Sequence, residues 1–139
     1  MQTFLPYRSF QKSARCLDSK RLGKQRVEAK QILNTLQHVS TGWRHHPAVK
    51  MWKGYEDALE QYLREMIVEW VRRGNANSIP IPRKSTYQAP PWLVWKRFHQ
   101  SHKSNLLRKH PAYYGDKFKV ESNLPYYWPK EQHDNNRDH

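Results

Sequence analysis

The chain has 139 residues and carries 25 Lys and Arg against 12 Asp and Glu, a formal charge of +13. That length suits one domain around one core, and that charge excess predicts a polyanionic partner, nucleic acid before membrane. One cysteine, Cys16, excludes an internal disulfide and a Cys-rich zinc site, and there is no signal-peptide pattern and no apolar run of about 18 residues, so a cytoplasmic protein is expected.

Met1 to Phe10, MQTFLPYRSF, is short, apolar and interrupted by Pro6. It reads as an extended arm packed on the core. Ser13 is a suitable N-cap for a first helix running from about Ala14 to about His38. Within that helix, LDSKRLGKQRVEAKQILNTL has two jobs. At 100° steps, Leu22, Ala29, Ile32, Leu33 and Leu36 share one arc, and Lys20, Arg21, Lys24, Glu28 and Gln31 lie opposite. Gln25 and Arg26 sit at the edges of the apolar stripe. A half-buried guanidinium is costly unless paired, so Arg26 needs a partner or an anionic ligand. Gly23 weakens the helix by about 1 kcal/mol relative to Ala, which predicts a close approach to the backbone there.

Val39 to His46, VSTGWRHH, reads as a loop turned at Gly42. Trp43 stands beside Arg44, His45 and His46, an aromatic among cations that suits nucleic acid. The adjacent histidines lack the spacing that puts two metal ligands on one helix face, and no metal is expected. Pro47 opens a second helix, with Trp52, Tyr55, Leu59, Tyr62, Leu63, Met66, Ile67 and Trp70 at helical spacing. Arg72, Arg73 and Gly74 close it, and its stripe reads as structural. Asn75 to Pro91 is a long loop in which Arg83 and Lys84 either touch phosphate or are simply solvated.

A third helix is expected from Trp92 to about Lys109, closed by Pro111. Trp92, Trp95, Phe98 and Leu106 form its inner stripe. His99 and His102 fall on the same stripe, either as satisfied core histidines or as the floor of a polar pocket facing Gln25 and Arg26. The opposite face, with Lys96, Arg97, Ser101, Ser104 and Arg108, suits phosphate contacts. The tail is aromatic and turn-rich and should wrap across the helices. Residues 131–139 are polar and expected to be disordered. The chain therefore reads as an all-α, compact single domain over residues 1–130, built from three main helices, an N-terminal arm and an aromatic tail.

No hydrolase triad, phosphate-binding glycine loop or acidic metal cluster is present. What remains is a carboxylate among cations and amines. That set suits covalent catalysis at a sugar carbon, in which a neutral amine attacks C1′ as the base leaves and a carboxylate handles protons. An α-amine starts from a pKa of about 8, far below a lysine near about 10.4. Glu28 either takes the carboxylate role or pairs with Lys24 on the helix surface.

The stretches LDSKRLGKQRVEA, HPAVKMWKGYEDALEQYLREMIVEWVRRGN and HQSHKSNLLRKHPAYYG together resemble the pyrimidine-dimer DNA glycosylase and abasic-site lyase family, the phage endonuclease V type. The resemblance covers most of the chain. It implies a mostly helical fold without metal or cofactor, a Schiff base formed by the N-terminal α-amine, a first-helix Glu as acid/base, and extrusion of a nucleotide from double-stranded DNA carrying a damaged or modified base. The catalytic group it implies is Met1, Glu28, Arg26 and His102. It also implies basic residues of the first and third helices on DNA, and with the loop the expected contacts are Lys20, Arg21, Lys24, Gln25, Arg44, His45, His46, Lys103, Ser104 and Arg108. Two positions depart from the family. Residue 2 is Gln, so the amine belongs to Met1, and Lys20 and Lys24 remain as other amines. Gly23 stands where the family has its Glu, so Glu28 serves only with a shifted helix register. A monomer acting on DNA is expected. A non-catalytic nucleic-acid-binding module and an RNA-directed protein fit the same surface.

Overall fold

The computed structural model describes residues 1–129. The expectation for residues 131–139 lies outside them. All regular structure among the described residues is helical: α1 Phe10–Cys16, α2 Ser19–Leu36, α3 Pro47–Lys50, α4 Glu56–Arg72, a 3-10 turn Pro91–Val94, α5 Lys96–Lys109 and α6 Pro111–Tyr114. The fold is all-α, as the periodicity indicates, with α2 packed along α4, α1 against α4, and α5 against α6. No helix among the described residues is long and apolar enough to cross a membrane.

Each of the three long helices expected from the sequence is interrupted near its start. The first breaks after Cys16. Leu17 turns extended (φ −73°, ψ 141°) to bury its side chain, and Asp18, not Ser13, caps α2 by accepting from the Arg21 N–H. α1 has its own cap in Ser9, whose Oγ accepts from the Lys12 N–H. Ser13 is buried instead, and its Oγ both accepts from the Tyr7 N–H and donates to the Tyr7 carbonyl, which holds the arm. The second helix breaks at Gly54, whose φ of +86° only glycine adopts without strain, so α3 and α4 are separate. The third is a 3-10 turn until Trp95, whose extended backbone (φ −84°, ψ 117°) precedes α5.

The core runs between these helices and is largely aromatic. Trp52 meets Trp92 edge-to-face at 4.9 Å, Phe10 meets Tyr62 at 5.7 Å, and Trp92 meets Phe98 at 4.8 Å. Leu22, Ala29, Ile32 and Leu33 of α2 enter this core, with Leu36 partly buried beside it.

The arm lies on this core with residues 2 to 6 buried. Among the described residues it has no strand to pair with, and side chains satisfy its backbone. Gln25 Oε1 accepts from the Phe4 N–H at 2.8 Å, His102 Nδ1 accepts from the Leu5 N–H at 2.9 Å, and Tyr62 donates to the Phe4 carbonyl at 3.0 Å. His99 Nδ1 bonds the Leu5 carbonyl at 2.7 Å. Three helices thereby fix where residue 1 sits.

Candidate functional site

The site forms where the arm crosses α2. Glu28 Oε2 accepts a hydrogen bond from the Gln2 N–H at 3.1 Å and another from Gln25 Nε2 at 3.2 Å. Gln25 Nε2 also donates to the Gln2 carbonyl at 2.9 Å. The carboxylate is therefore held against the first peptide bond of the chain. It reaches that position from an uninterrupted α2. Residue 25 is the last group before the core: it is 1 % exposed and ties the arm, Glu28 and Tyr62 together.

His46 joins this group from the other side. Its Nδ1 accepts from the Ala48 N–H at 3.0 Å and caps α3. In the neutral ring that bond leaves the proton on Nε2. Burial pulls its pKa down, the N-terminal amine acts in the same direction, and Glu28 opposes both. Amine, carboxylate and imidazole thus sit within electrostatic reach of one another. The ring is flanked by Trp43 and Trp128, each edge-to-face at 5.8 Å.

Glu28 also opens onto a groove of about 450 Å³, lined by Ser19, Lys20, Gly23, Lys24, Arg26, Val27, Glu28, Gln31 and Trp70. Trp70 explains Gly23. A Cβ at that position would lie 2.8 Å from Trp70 Cη2 and 2.9 Å from Cζ3, so only glycine lets the indole lie on α2. The indole is held by its N–H, which donates to the Ala76 carbonyl at 2.8 Å. Arg26 stacks on the same ring with its guanidinium carbon 4.8 Å from the centroid, and its Nη1 donates to Asn77 Oδ1 at 2.6 Å. Arg26 Nε is buried without a hydrogen-bond partner among the described residues. The partner that Arg26 needs is therefore an aromatic ring and an amide, neither of them charged.

The remaining residues expected at the site are spread over three surfaces. Lys20 and Lys24 are exposed on the groove rim. Arg21 folds back onto Asp18 at 3.3 Å. Arg44 and His45 are exposed on the loop with His46, where Arg44 Nε donates to His45 Nε2 at 3.2 Å. Gln25, expected as a DNA contact, is buried and serves the arm. His102, expected among the catalytic groups, is 1 % exposed and lies beneath the arm. Burial pushes its pKa down to about 3, with His99 acting in the same direction, so it is the neutral acceptor for Leu5.

The outer face of α5 is corrected most. The tail crosses it, with Leu124 N–H donating to Ser104 Oγ at 3.0 Å and Tyr127 N–H to Ser101 Oγ at 3.1 Å. Both serines are buried and withdrawn from solvent. Arg108 donates to the Ser122 and Leu124 carbonyls and to Asn105, and so clamps the tail. Lys103 packs its ammonium over Tyr7 at 4.7 Å; burial is the largest cause of its lowered pKa, followed by Lys12.

A carboxylate held against the first peptide bond thus lies beside a groove with exposed lysines, with a loop of Trp43, Arg44 and His45 on the other side of His46. The family model for pyrimidine dimer DNA glycosylases matches residues 1–82. The chain belongs to that family. The matched span carries the arm, Glu28, the 41–46 loop, Trp70 and Asn77, while α5 and the tail follow it. No curated protein and no solved structure matches the chain. Membership makes the protein an enzyme of the DNA glycosylase kind, with DNA as its substrate.

Sequence reasoning missed Trp70 and Asn77 as parts of the site and gave His46 only a DNA contact. Gly23 was the available signal for Trp70, since an unexplained glycine on a helix implies a bulky neighbour. Nothing local signals Asn77, which approaches Arg26 from 51 residues away.

Proposed function

We propose that this DNA glycosylase excises a pyrimidine dimer, or a related modified base, from double-stranded DNA through an imine formed by the Met1 amine, and that it works as a monomer in the cytoplasm without metal or cofactor. The observation that carries the reading is the 3.1 Å hydrogen bond from the Gln2 N–H to Glu28 Oε2, which keeps a carboxylate one residue from the amine. Lys20 and Lys24 are the other amines near the groove, but neither is tied to Glu28 by a hydrogen bond of the arm.

In this mechanism the neutral amine attacks C1′ and the C1′–base bond breaks. The bonding electrons leave with the base, which takes up a proton. Glu28 accepts a proton from the attacking nitrogen and returns it to O4′ as the sugar ring opens, leaving an iminium between residue 1 and C1′. Water then hydrolyses the iminium. Alternatively, loss of a C2′ proton allows β-elimination of the 3′ phosphate, which is the lyase outcome. Lys20, Lys24 and Arg26 line the groove and hold the phosphates on either side of the reacting sugar. Gln25 and His102 act one step back, by fixing the arm and so the amine.

The test is C1′–base cleavage in a duplex carrying one thymine dimer, read as the thymine released once the dimer has been photoreversed, and measured together with DNA affinity. Glu28→Gln should abolish release and leave the affinity within about twofold, because the amide keeps the shape and removes the proton acceptor. Full release by Glu28→Gln would remove the carboxylate from the mechanism.

A further inference from the structure

Trp43 is a large apolar side chain left 57 % exposed, and its backbone has φ +66°, a left-handed conformation that side chains other than glycine adopt only under strain. The loop that presents it is firmly held. Thr35 Oγ1 donates to the Gly42 carbonyl at 2.7 Å, and the His46 N–H donates to the Trp43 carbonyl at 2.8 Å. The indole leans edge-to-face on His46, which also contacts Trp128 and lies within electrostatic reach of the Met1 amine and Glu28. Arg44 and His45 follow it in sequence and are exposed. Trp43 therefore projects from a rigid turn next to the reacting groups, in a protein of charge +13.

The reacting carbon of a stacked nucleotide is out of reach of a carboxylate that lies in a groove, so the nucleotide must leave the stack. The gap it leaves is apolar and planar. An exposed indole with cations beside it matches that gap in shape and in charge, because every base offers a π-face and its phosphates lie alongside. We propose that Trp43 is the wedge that enters the base stack of duplex DNA and fills the space left by the extruded nucleotide. The direction of extrusion, toward Glu28, rests on the function proposed above. The insertion itself does not.

Two readouts separate the claims. The first places 2-aminopurine beside an abasic-site analogue in a duplex and follows its fluorescence on binding, which requires no turnover. Wild type should quench the signal, because the indole stacks on the flanking 2-aminopurine, Trp43→Ala should lose most of the quenching, and Trp43→Phe should restore it. The second compares borohydride trapping on abasic duplex and on abasic single strand. Trp43→Ala should slow duplex trapping about tenfold more than single-strand trapping, since only the duplex has a stack to hold open. Because Trp43 is exposed, an unchanged helical circular dichroism spectrum serves as the folding control. Full quenching in Trp43→Ala, a Phe variant as inactive as the Ala variant, or equal slowing on both strands would overturn the wedge. Trp43-dependent quenching without any adduct from wild type would support the wedge and overturn the imine chemistry alone.

Discussion

Gln25 and Glu28 stand one turn apart on α2, and Gln25 Nε2 donates to Glu28 Oε2 at 3.2 Å while also donating to the Gln2 carbonyl at 2.9 Å. One buried amide therefore aligns the proposed acid/base with the residue that follows the proposed nucleophile. Its oxygen is equally committed, to the Phe4 N–H and the Tyr62 hydroxyl.

Replacing that amide should harm both folding and catalysis. Gln25→Leu fills the volume but strands the Phe4 N–H and the Gln2 carbonyl, and leaves the Tyr62 hydroxyl only the Phe4 carbonyl. The expected loss is about 2 to 4 kcal/mol by urea unfolding, and base release should fall further than DNA affinity does. A variant as stable and as active as wild type would show that the arm is fixed by other bonds.

His102 gives stability a pH dependence with a definite sign. Its pKa falls from an ordinary value of 6.5 to about 3 in the fold, so below pH 6.5 the unfolded chain takes up a proton that the folded chain refuses. Its contribution is fully present above pH 6.5 and is lost progressively as pH falls toward 3. The slope should be on the order of 1 kcal/mol per pH unit. His102→Asn, whose Oδ1 takes the place of Nδ1 as acceptor for the Leu5 N–H, should flatten that dependence between pH 7 and 5. An equal slope in the variant would assign it to other groups.

Gly23→Ala sets two effects against each other. Helix propensity favours Ala by about 1 kcal/mol. The new methyl meets the Trp70 ring at 2.8 Å, and the ring is anchored by its N–H to Ala76, so overpacking should cost about 1 to 3 kcal/mol. A modest net destabilisation is expected, together with displacement of Arg26 from the indole. Trp70→Leu in the same chain should recover most of the loss, a coupling that a double-mutant cycle reads directly.

The polar face of α2 was legible from spacing alone, because a helix period places Gln25 and Arg26 at the stripe edges regardless of context. Gly23 announced a close neighbour for the same reason. The helix breaks were harder. Asp18 caps as well as Ser13, and the choice turned on burying Leu17 and on the Tyr114 hydroxyl, which donates to Asp18 from 96 residues away. The burial of Ser101 and Ser104 was hidden because it depends on where the tail lies. His102 stood out on its stripe, but a stripe position does not distinguish the floor of a pocket from a clamp beneath the arm. Long-range partners, such as Leu5 for His102, are what spacing alone does not encode.

Binding should be strongly electrostatic. Each exposed lysine of α2 that contacts phosphate adds about one to the slope of log affinity against log salt. Lys20→Ala and Lys24→Ala should each lower that slope by about one on any duplex. A slope unchanged in both variants would move the DNA path off the α2 groove.

The account turns on an amine at residue 1 acting beside Glu28. The direct measurement is borohydride reduction of the protein on a duplex with one abasic site, followed by peptide mapping of the adduct in wild type and in Glu28→Gln. A covalent adduct at Met1 is expected in wild type, formed at least about a hundredfold more slowly in Glu28→Gln. An adduct mapping to Lys20 or Lys24, or one formed equally fast without the carboxylate, would contradict it.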